Sequence, residues 1–356
     1  MASTIERIAE FVTRDIQTRG LKPGDRYLTT AEIGEQFDVS PTTAHRALNI
    51  LVDRDMVIRR QNRGTYVGPR MEEQFTTRIP TVCILRTEDE RFHPSDRSEV
   101  DVIIAELERQ MPDVNVHLGC VPARDAVDYV RALLRSLRQM GELAGVLARS
   151  CSREVYRLLA DEQVPAIVMG SLYSDQEAML PSVDGDEHQV GRLLMEYLVR
   201  RQHRRMVVFT NSAGLPGDNH FLDGASQVLT EAKLPHNALI YRQVPAIESD
   251  VVVAQVRELL EMGDRPTAIA VRIPDWVAAV RRTVEEHGLR VPDDVEIVYR
   301  DVGVQLGQPG HFPRVQPQIP FIDVAVQVAR MLHRVRRGIP LDNLRTVIPY
   351  ELKLGD

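Results

Sequence analysis

Arginine is concentrated in one short stretch of this sequence, IRRQNRGTYVG at residues 58–68. From residue 54 to residue 70 there are five arginines, and the single acid is Asp55. Guanidinium groups this close together bind polyanions well, because neutralising each phosphate releases condensed counterions. Charged residues between two strands are more often only a solvated hairpin. The segments that precede the stretch therefore decide between the two interpretations.

A second group of polar side chains recurs at helical spacing upstream. Thr42, His45, Arg46 and Asn49 are three or four residues apart, which places them on one face of a helix. Hydroxyl, amide and guanidinium groups on an exposed helix can hydrogen-bond to base edges in a major groove. The helix face and the arginine-rich stretch together have the chemistry of a nucleic-acid surface.

The local sequence predicts three helices that would present this face. Apolar residues recur at helical spacing from Ile5 to Ile16 and indicate the first helix. Thr29 and Glu32 fit a capping box for the second helix. Ser40 suits the N-cap of the third helix, since Pro41 follows at a position where its missing N–H costs nothing. The buried face of the third helix is predicted to be Ala44, Ala47, Leu48 and Leu51.

A hairpin is predicted directly after the third helix. DMVIRR at residues 55–60 and TYVG at residues 65–68 have the composition of strands, and QNRG between them that of a turn. Gly64 would let the chain turn tightly close to a bound backbone. Three helices followed by a hairpin predict a winged helix-turn-helix.

This segment resembles the DNA-binding domain of the GntR family of bacterial transcription regulators. The motifs PGD, VS-x-TT and AL-x-x-L and a glycine-containing wing occur in the family's order over residues 4–68. The resemblance implies a winged helix-turn-helix domain at residues 1–69 whose partner is double-stranded operator DNA. The DNA-binding residues expected from it are Thr30, Ser40, Thr42, Thr43, His45, Arg46, Asn49, Arg59, Arg60, Arg63 and Gly64.

Several positions depart from the family pattern. Ala31, Pro41 and His45 stand where family members usually have arginine, and Asn62 stands where the wing usually has its first glycine. The resemblance therefore implies no particular operator sequence. Because those basic contacts are missing, we expect Arg46 and the wing arginines to contribute a large share of the DNA affinity.

The totals of the chain bound its class. A length of 356 residues predicts two or three domains. The net charge is −7, but residues 1–70 hold eleven Lys/Arg against nine Asp/Glu, so positive charge is concentrated at the start. No run approaches the roughly 18 apolar residues that span a bilayer, and acids at residues 6, 10 and 15 interrupt any signal peptide. We expect a cytoplasmic protein with no membrane partner.

Cofactor and metal motifs are absent from the sequence. Cys83, Cys120 and Cys151 are isolated and lack CxxC spacing, which favours free thiols over a disulfide or a metal site. The phosphate-binding patterns GxGxxG and GxxxxGK[ST] do not occur, and neither does HExxH. No nucleophile and base are singled out by spacing, so we expect no cofactor and no catalytic residues.

From residue 81 onward, short apolar segments alternate with amphipathic helical segments, beginning with TVCILR. A polar stretch at residues 70–80 precedes them and is predicted to be a linker. The alternation predicts an α/β fold with doubly wound parallel sheets. The strands are too many for one small sheet, so residues 81–356 are predicted to form two Rossmann-like lobes.

Parts of this region are similar to effector domains of the LacI/GalR type, which share the fold of periplasmic sugar-binding proteins. The segments are PSVDGDEHQVGRLLMEYLVRRQHRRMVVFT, TAIAVRIPDWVAAVRRTVEEHGLRVPDDVEIVYRDV and RVQPQIPFIDVAVQVARMLHRVRRG. The resemblance implies a homodimer that binds a small-molecule effector, a sugar or related polar metabolite, between two periplasmic-binding-protein-like lobes. The effector would change the operator affinity of a transcriptional regulator, here a repressor.

Effector contacts are expected at the carboxyl ends of the strands. Asp275 and Asp301 match ligand-binding aspartates of the family, whereas Phe221 replaces a ligand-binding arginine and Asn219 lies nearby. Both aspartates also suit N-cap or turn positions, and core packing is the favoured role of Trp276. The predicted effector-binding residues, two of them placed by topology alone, are Arg86, Ser150, Asn219, Phe221, Asp275, Trp276 and Asp301.

Two other functions stay open from the sequence. The second domain could be only a dimerisation scaffold, or the chain could be an enzyme on a Rossmann-like scaffold. GntR-type domains also occur fused to pyridoxal-phosphate-dependent aminotransferase-like domains, which need a Schiff-base lysine. The chain has only Lys22, Lys233 and Lys353, and Lys233 lies at a predicted helix end, which argues against that enzyme.

Overall fold

A computed structural model of the chain describes residues 4–60, 64–71, 80–87, 94–174, 180–211, 214–244, 249–304 and 312–355. The chain divides into two compact units, Met1–Ile79 and Pro80–Asp356. Most of the predicted linker, residues 72–79, lies outside the described residues. No helix among the described residues combines the length and apolar character needed to cross a bilayer.

The first unit contains the three predicted helices. Its elements are α1 (Thr4–Thr18), β1 (Arg26–Tyr27), α2 (Thr30–Gln36), α3 (Pro41–Asp53), β2 (Val57–Arg60) and β3 (Gly64–Val67). The capping box is confirmed, because Thr29 N–H donates to Glu32 Oε2 at 2.7 Å and Glu32 N–H donates to Thr29 Oγ1 at 3.3 Å. Ser40 caps α3 by accepting the N–H of Thr43 at 3.2 Å, with Pro41 at the first helical turn as predicted.

The predicted buried face of α3 is confirmed. Ala44, Ala47, Leu48 and Leu51 are all buried, and they pack with Ile8, Val12 and Ile16 of α1. The three strands form an antiparallel sheet in the order β1-β3-β2. The sequence did not predict β1, because two residues are too few to show strand alternation. Residues 61–63 of the predicted turn lie outside the described part of the chain.

The second unit contains alternating strands and helices, as predicted. Its elements up to residue 185 are β4 (Thr81–Thr87), α4 (Pro94–Gln110), β5 (Asn115–Val121), α5 (Ala126–Met140), β6 (Leu143–Arg149), α6 (Arg153–Asp161), β7 (Ala166–Met169) and β8 (Ser182–Gly185). The elements that follow are α7 (Glu187–Arg200), β9 (Met206–Asn211), α8 (Pro216–Glu231), β10 (Leu239–Val244), α9 (Ser249–Leu260), β11 (Ala268–Val271), α10 (Val277–Glu286), β12 (Glu296–Arg300), β13 (Arg314–Pro317), α11 (Phe321–Arg336), β14 (Arg345–Ile348) and β15 (Tyr350–Lys353).

These elements build two six-stranded sheets, which we call lobe 1 and lobe 2. Lobe 1 has the order β14-β8-β7-β6-β4-β5 and its strand pairs are parallel. Lobe 2 has the order β10-β9-β11-β12-β13-β15, and its pairs are parallel apart from β13 with β15. The chain passes between the lobes after β8, after β13 and after β14. The prediction of an α/β fold with two parallel-sheet lobes is confirmed.

A buried carboxylate anchors lobe 2 at the start of β12. Glu296 is 2% exposed. It accepts hydrogen bonds from the Tyr197 hydroxyl and from Arg201 Nε at 3.1 Å, and its Oε2 lies 2.8 Å from His203 Nε2. Burial alone raises the pKa of this carboxyl, but the bonds to His203, Tyr197 and Arg201 outweigh burial and hold the pKa at about 2.

Glu296→Gln is expected to lower the melting temperature of the protein at pH 7 by about 5 °C. A pKa depressed by folding adds stability above the ordinary value near 4.5 and loses that contribution as the pH falls toward 2. The gap between variant and wild type should therefore narrow from pH 7 to pH 3. Thermal melts across this range test it, with Glu285→Gln on the exposed surface of α10 as the control. A gap of constant size would contradict the electrostatic origin.

Candidate functional site

The outer face of α3 carries the polar side chains that the sequence singled out. Thr42, His45, Arg46 and Asn49 are exposed, and Asn49 Nδ2 lies 3.4 Å from His45 Nδ1. Thr43 is half-buried, with its hydroxyl 2.8 Å from that of Ser40. Arg46 has no ion-pair partner among the described residues. A capped helix with free hydrogen-bonding groups on its outer face is suited to reading base edges.

The wing arginines lie on different faces of the small sheet. Side chains alternate along β2, so Arg59 shares the face of buried Val57 and Arg60 lies on the other face. Arg59 Nη2 donates to the Thr30 hydroxyl at 3.5 Å, next to the start of α2. The Arg60 guanidinium lies 4.6 Å from the centre of the Tyr66 ring. Arg59 is therefore directed toward the helices, whereas Arg60 belongs to the outer face of the wing. Arg63 lies outside the described residues.

A further arginine, Arg26, belongs to the wing and was missed by sequence reasoning. β1 pairs Arg26 with Tyr66 across the sheet, and Arg60 stacks on the ring of the same tyrosine. Gly64 has a φ of +102°, and a side-chain carbon there would lie 3.6 Å from Arg26 Nε. The glycine is therefore required by the left-handed backbone, since a side-chain carbon at 3.6 Å would only be in ordinary contact with the guanidinium. The only sequence signal was an arginine next to the PGD motif.

A cavity of about 280 Å³ lies between lobe 1 and lobe 2 of the second unit. It is lined by the residues that follow the carboxyl ends of strands from both sheets, where ligands bind in open α/β folds. Charged side chains from both lobes line this cleft: Glu99, Arg149, Asp184, Glu187, Asp218, Arg272 and Arg300. The cleft therefore combines an apolar lining with seven charged side chains, most of each of which is buried.

Arg272, just after β11, organises the lobe 2 side of the cleft. Its Nη2 lies 2.7 Å from Glu187 Oε2, and its Nη1 contacts Asp218 and donates to the Thr210 hydroxyl at 3.2 Å. The guanidinium lies 4.7 Å from the centre of the Phe221 ring. An arginine stacked on an aromatic ring and bound by two carboxylates is fixed in orientation.

Glu187 links Arg272 to a second arginine. Its Oε1 lies 2.8 Å from Arg300 Nη2, and Arg300 also donates to the Tyr350 hydroxyl at 3.0 Å. Burial raises the pKa of Glu187, but the charges of Arg300 and Arg272 outweigh burial and hold it below its ordinary value. Burial lowers the pKa of Arg300, and the charge of Glu187 outweighs burial and raises it. The carboxylate and both guanidinium groups are therefore charged together.

The lobe 1 side holds a second ion pair and an acid of different character. Arg149 Nη2 lies 2.6 Å from Glu99 Oε2. The Ser171 hydroxyl donates to Asp184 Oδ2 at 2.5 Å. Burial, followed by the charge of Glu187, raises the pKa of Asp184 to about 7. Asp184 therefore changes its charge near neutral pH.

One predicted effector-binding residue, Ser150, lines the cleft, and the other six do not line it. Phe221 is fully buried beneath Arg272, and Trp276 packs in the core of lobe 2, as the packing interpretation held. Asp301 accepts the N–H of Gly303 at 2.9 Å, which is a turn role. Asn219 is exposed on α8, whereas Arg86 and Asp275 are half-buried. Arg86 was placed by strand order, and Asn219 and Asp275 by their positions in the family pattern; neither fixes the direction of a side chain.

Two families match the chain. Bacterial regulatory proteins of the gntR family match residues 4–67, and the periplasmic binding protein-like domain matches residues 195–356. The chain carries a gntR-family helix-turn-helix domain followed by a periplasmic-binding-protein-like domain. This confirms both resemblances drawn from the sequence.

Individual relatives support the same two-domain order. The arabinose metabolism transcriptional repressor of Geobacillus stearothermophilus is 23% identical over 92% of this chain and 90% of its own. The solved complex of the transcriptional regulator CelR with cellobiose has a TM-score of 0.64 at 19% identity and covers 99% of both chains. The transcription regulator CcpA of Lactococcus lactis has a TM-score of 0.63 at 16% identity, over 78% of this chain and 98% of that one. The two structures show a shared fold.

Most charged residues of the cleft in the periplasmic-binding-protein-like domain were missed by sequence reasoning. Arg272 directly follows a buried strand and Arg300 is the last residue of another, which is the one sequence signal that could have identified them. Arg272 is the notable case, because it brings a guanidinium to the ring of Phe221, where the family has its ligand-binding arginine.

Proposed function

We propose that this protein is a homodimeric, sequence-specific DNA-binding transcriptional repressor whose operator affinity changes when a small polar ligand binds in the cleft. The observation that carries the proposal is the exposed polar face of a capped α3 beside an arginine-rich wing, in a chain whose second unit has a buried, charged cleft. The repressor from Geobacillus stearothermophilus, related over 92% of this chain, supports it. A regulator of this kind acts in the cytoplasm, where operator DNA lies.

Ligand binding would act by favouring one arrangement of the two lobes. A ligand shifts DNA affinity only by the difference between its affinities for the two arrangements. The chain crosses between the lobes three times, so these three crossing segments would form the hinge when one lobe moves against the other. In a two-fold symmetric dimer, such a change alters the spacing of two recognition helices, and the operator should be nearly palindromic.

Selection of bound duplexes from a random DNA pool tests the DNA-binding part. The expected result is a near-palindromic sequence bound about 10³-fold or more tightly than random DNA, with an affinity that falls steeply as salt rises. Bound duplexes with no common sequence would contradict the proposal. Thermal melts against sugars and related polar metabolites test the cleft, because a ligand of the native state raises the melting temperature. No shift with any compound would favour the dimerisation-scaffold alternative.

Catalysis is the less favoured alternative. The related proteins of known role are regulators, which supports a non-enzymatic function for this chain. The charged groups of the cleft also bond mainly to one another, with Glu187 engaged by both Arg272 and Arg300. Such an arrangement suits recognition of a ligand more than turnover of a substrate.

A further inference from the structure

The charged groups in the cleft are unequal in number. Its described lining residues include the acids Glu99, Asp184, Glu187 and Asp218 and the bases Arg149, Arg272 and Arg300. There are thus four carboxyl groups for three guanidinium groups. A buried charge is stable only when it is paired and hydrogen-bonded, so the pairing of each carboxyl group matters more than the count.

Asp184 is the one lining carboxyl group with no guanidinium within ion-pair distance among the described residues. The other three are bonded: Glu99 to Arg149, Asp218 to Arg272, and Glu187 to Arg272 and Arg300. Asp184 is only 7% exposed, and its bonded neighbour is the Ser171 hydroxyl on Oδ2. Within the described part of the chain no group donates to its Oδ1. Asp184 itself lines the cavity.

Charges from three elements face Asp184. Glu187 at the start of α7 repels its negative charge, and Arg300 of β12 and Arg345 of β14 attract it. Burial and Glu187 outweigh the two arginines and raise the pKa of Asp184 to about 7. Below about pH 7 Asp184 is therefore neutralised by a proton, and a cationic group could take the place of that proton.

We propose that the ligand of this cleft carries a protonated amine whose ammonium group pairs with the carboxylate of Asp184. The inference rests on the proposed function, since it assigns the charge of the ligand that the cleft binds. An organic cation fits better than a metal ion, because no three acids, histidines or cysteines of the described chain are placed to hold one. Phosphorylated and carboxylate compounds would instead bring a second negative charge close to the carboxyl group of Asp184.

Asp184→Asn tests, without a ligand, whether the ionised carboxylate of Asp184 lacks a cationic partner. An acid whose pKa is raised by folding costs stability once the pH exceeds its unfolded value, and the full cost is present above the folded pKa, here about 7. The variant keeps an acceptor for Ser171 and removes the charge. We expect it to melt several degrees above wild type at pH 8 and at the same temperature as wild type at pH 4. No gain at pH 8 would overturn the proposal.

The ligand is tested with matched compounds in calorimetry and thermal melts at pH 7. The probes are glucosamine against glucose, 1-amino-1-deoxysorbitol against sorbitol, and glucose 6-phosphate. The expected result is that an amine binds more tightly than its hydroxyl partner, and that Asp184→Asn weakens amine binding about tenfold or more. Asp223→Asn, at an exposed position of α8, is the matched control and should bind like wild type.

Each other outcome overturns the proposal. Equal or tighter binding of a hydroxyl or phosphate compound would show that the cleft does not select positive charge, and so would amine binding that survives Asp184→Asn. Binding by none of the five compounds also counts against it. Operator binding measured on the same preparation separates these results from failure of the proposed function, because DNA selection by α3 does not depend on the charge of the ligand.

Discussion

Arg46→Ala is expected to reduce affinity for the operator by about 10- to 100-fold, which corresponds to about 1–3 kcal/mol, and to broaden the range of sequences bound. Arg46 is exposed on the same face of α3 as Thr42 and Asn49. It has no competing ion pair within the described residues, so its guanidinium can meet a base without first losing a partner. Fluorescence anisotropy with the selected operator and with single-base variants would measure both effects.

Arg60→Ala separates reading of the sequence from attraction to the backbone. Arg60 lies on the outer face of the wing and stacks on Tyr66, so it is placed to neutralise phosphate rather than to read bases. Loss of Arg60 should lower the affinity for every DNA duplex by the same factor and reduce the slope of log affinity against log salt by about one. Arg7→Ala on the exposed surface of α1 is the control and should change neither quantity. For the Arg46→Ala prediction, an unchanged preference among single-base variants would show that Arg46 does not contact bases.

The helix-turn-helix was predictable because its signals are local. Thr29 bonds to Glu32 and Ser40 to Thr43, so each cap is completed within three residues. Such spacing is visible in one sequence, and the buried face of α3 follows from helical periodicity. The wing was predicted less completely, since β1 has two residues and Arg26 meets Tyr66 only through strand pairing across the sheet.

The cleft could not be predicted in the same way because its contacts are not local. Arg272 bonds to Glu187 at a separation of 85 residues and to Asp218 at a separation of 54. The alternation of strands and helices indicated which end of each sheet faces the cleft, but not which side chain turns into it. Matching by sequence position placed a ligand contact at Phe221, whereas Phe221 is buried and Arg272, from another strand end, lies over its ring and lines the cleft. The residue matched by sequence position, Phe221, is therefore not the residue that lines the cleft, Arg272.

Arg272→Ala is expected to destabilise the second unit by about 3–5 kcal/mol, the usual cost of leaving buried charges unpaired, and to abolish ligand-induced stabilisation. Removing Arg272 leaves Asp218 without its guanidinium and leaves Glu187 with Arg300 alone. It also removes the cation above the Phe221 ring. Chemical denaturation measures the free energy of unfolding, and thermal melts with any ligand found for the wild type measure the lost response.

The pH dependence of the stability lost in Arg272→Ala identifies the cause of that loss. In the wild type, Arg300 and Arg272 overcome the effect of burial and hold the pKa of Glu187 below its ordinary value, so the ionised form stabilises the fold above that value. Without Arg272 the carboxyl groups can become neutral only by binding protons. The difference in unfolding free energy between Arg272→Ala and wild type should therefore be largest at pH 7 and smaller near pH 4.

A comparison with Arg314→Ala separates unpaired charge from lost packing. Arg314 lies 3.4 Å from Asp301 in a partly exposed pair outside the cleft, where water can solvate the remaining carboxylate. Its replacement should cost about 1 kcal/mol or less and leave ligand binding intact. If Arg272→Ala costs no more than Arg314→Ala, or if its cost is the same at pH 4 and pH 7, the buried charges do not hold the cleft in place, and the volume of the arginine side chain accounts for its effect.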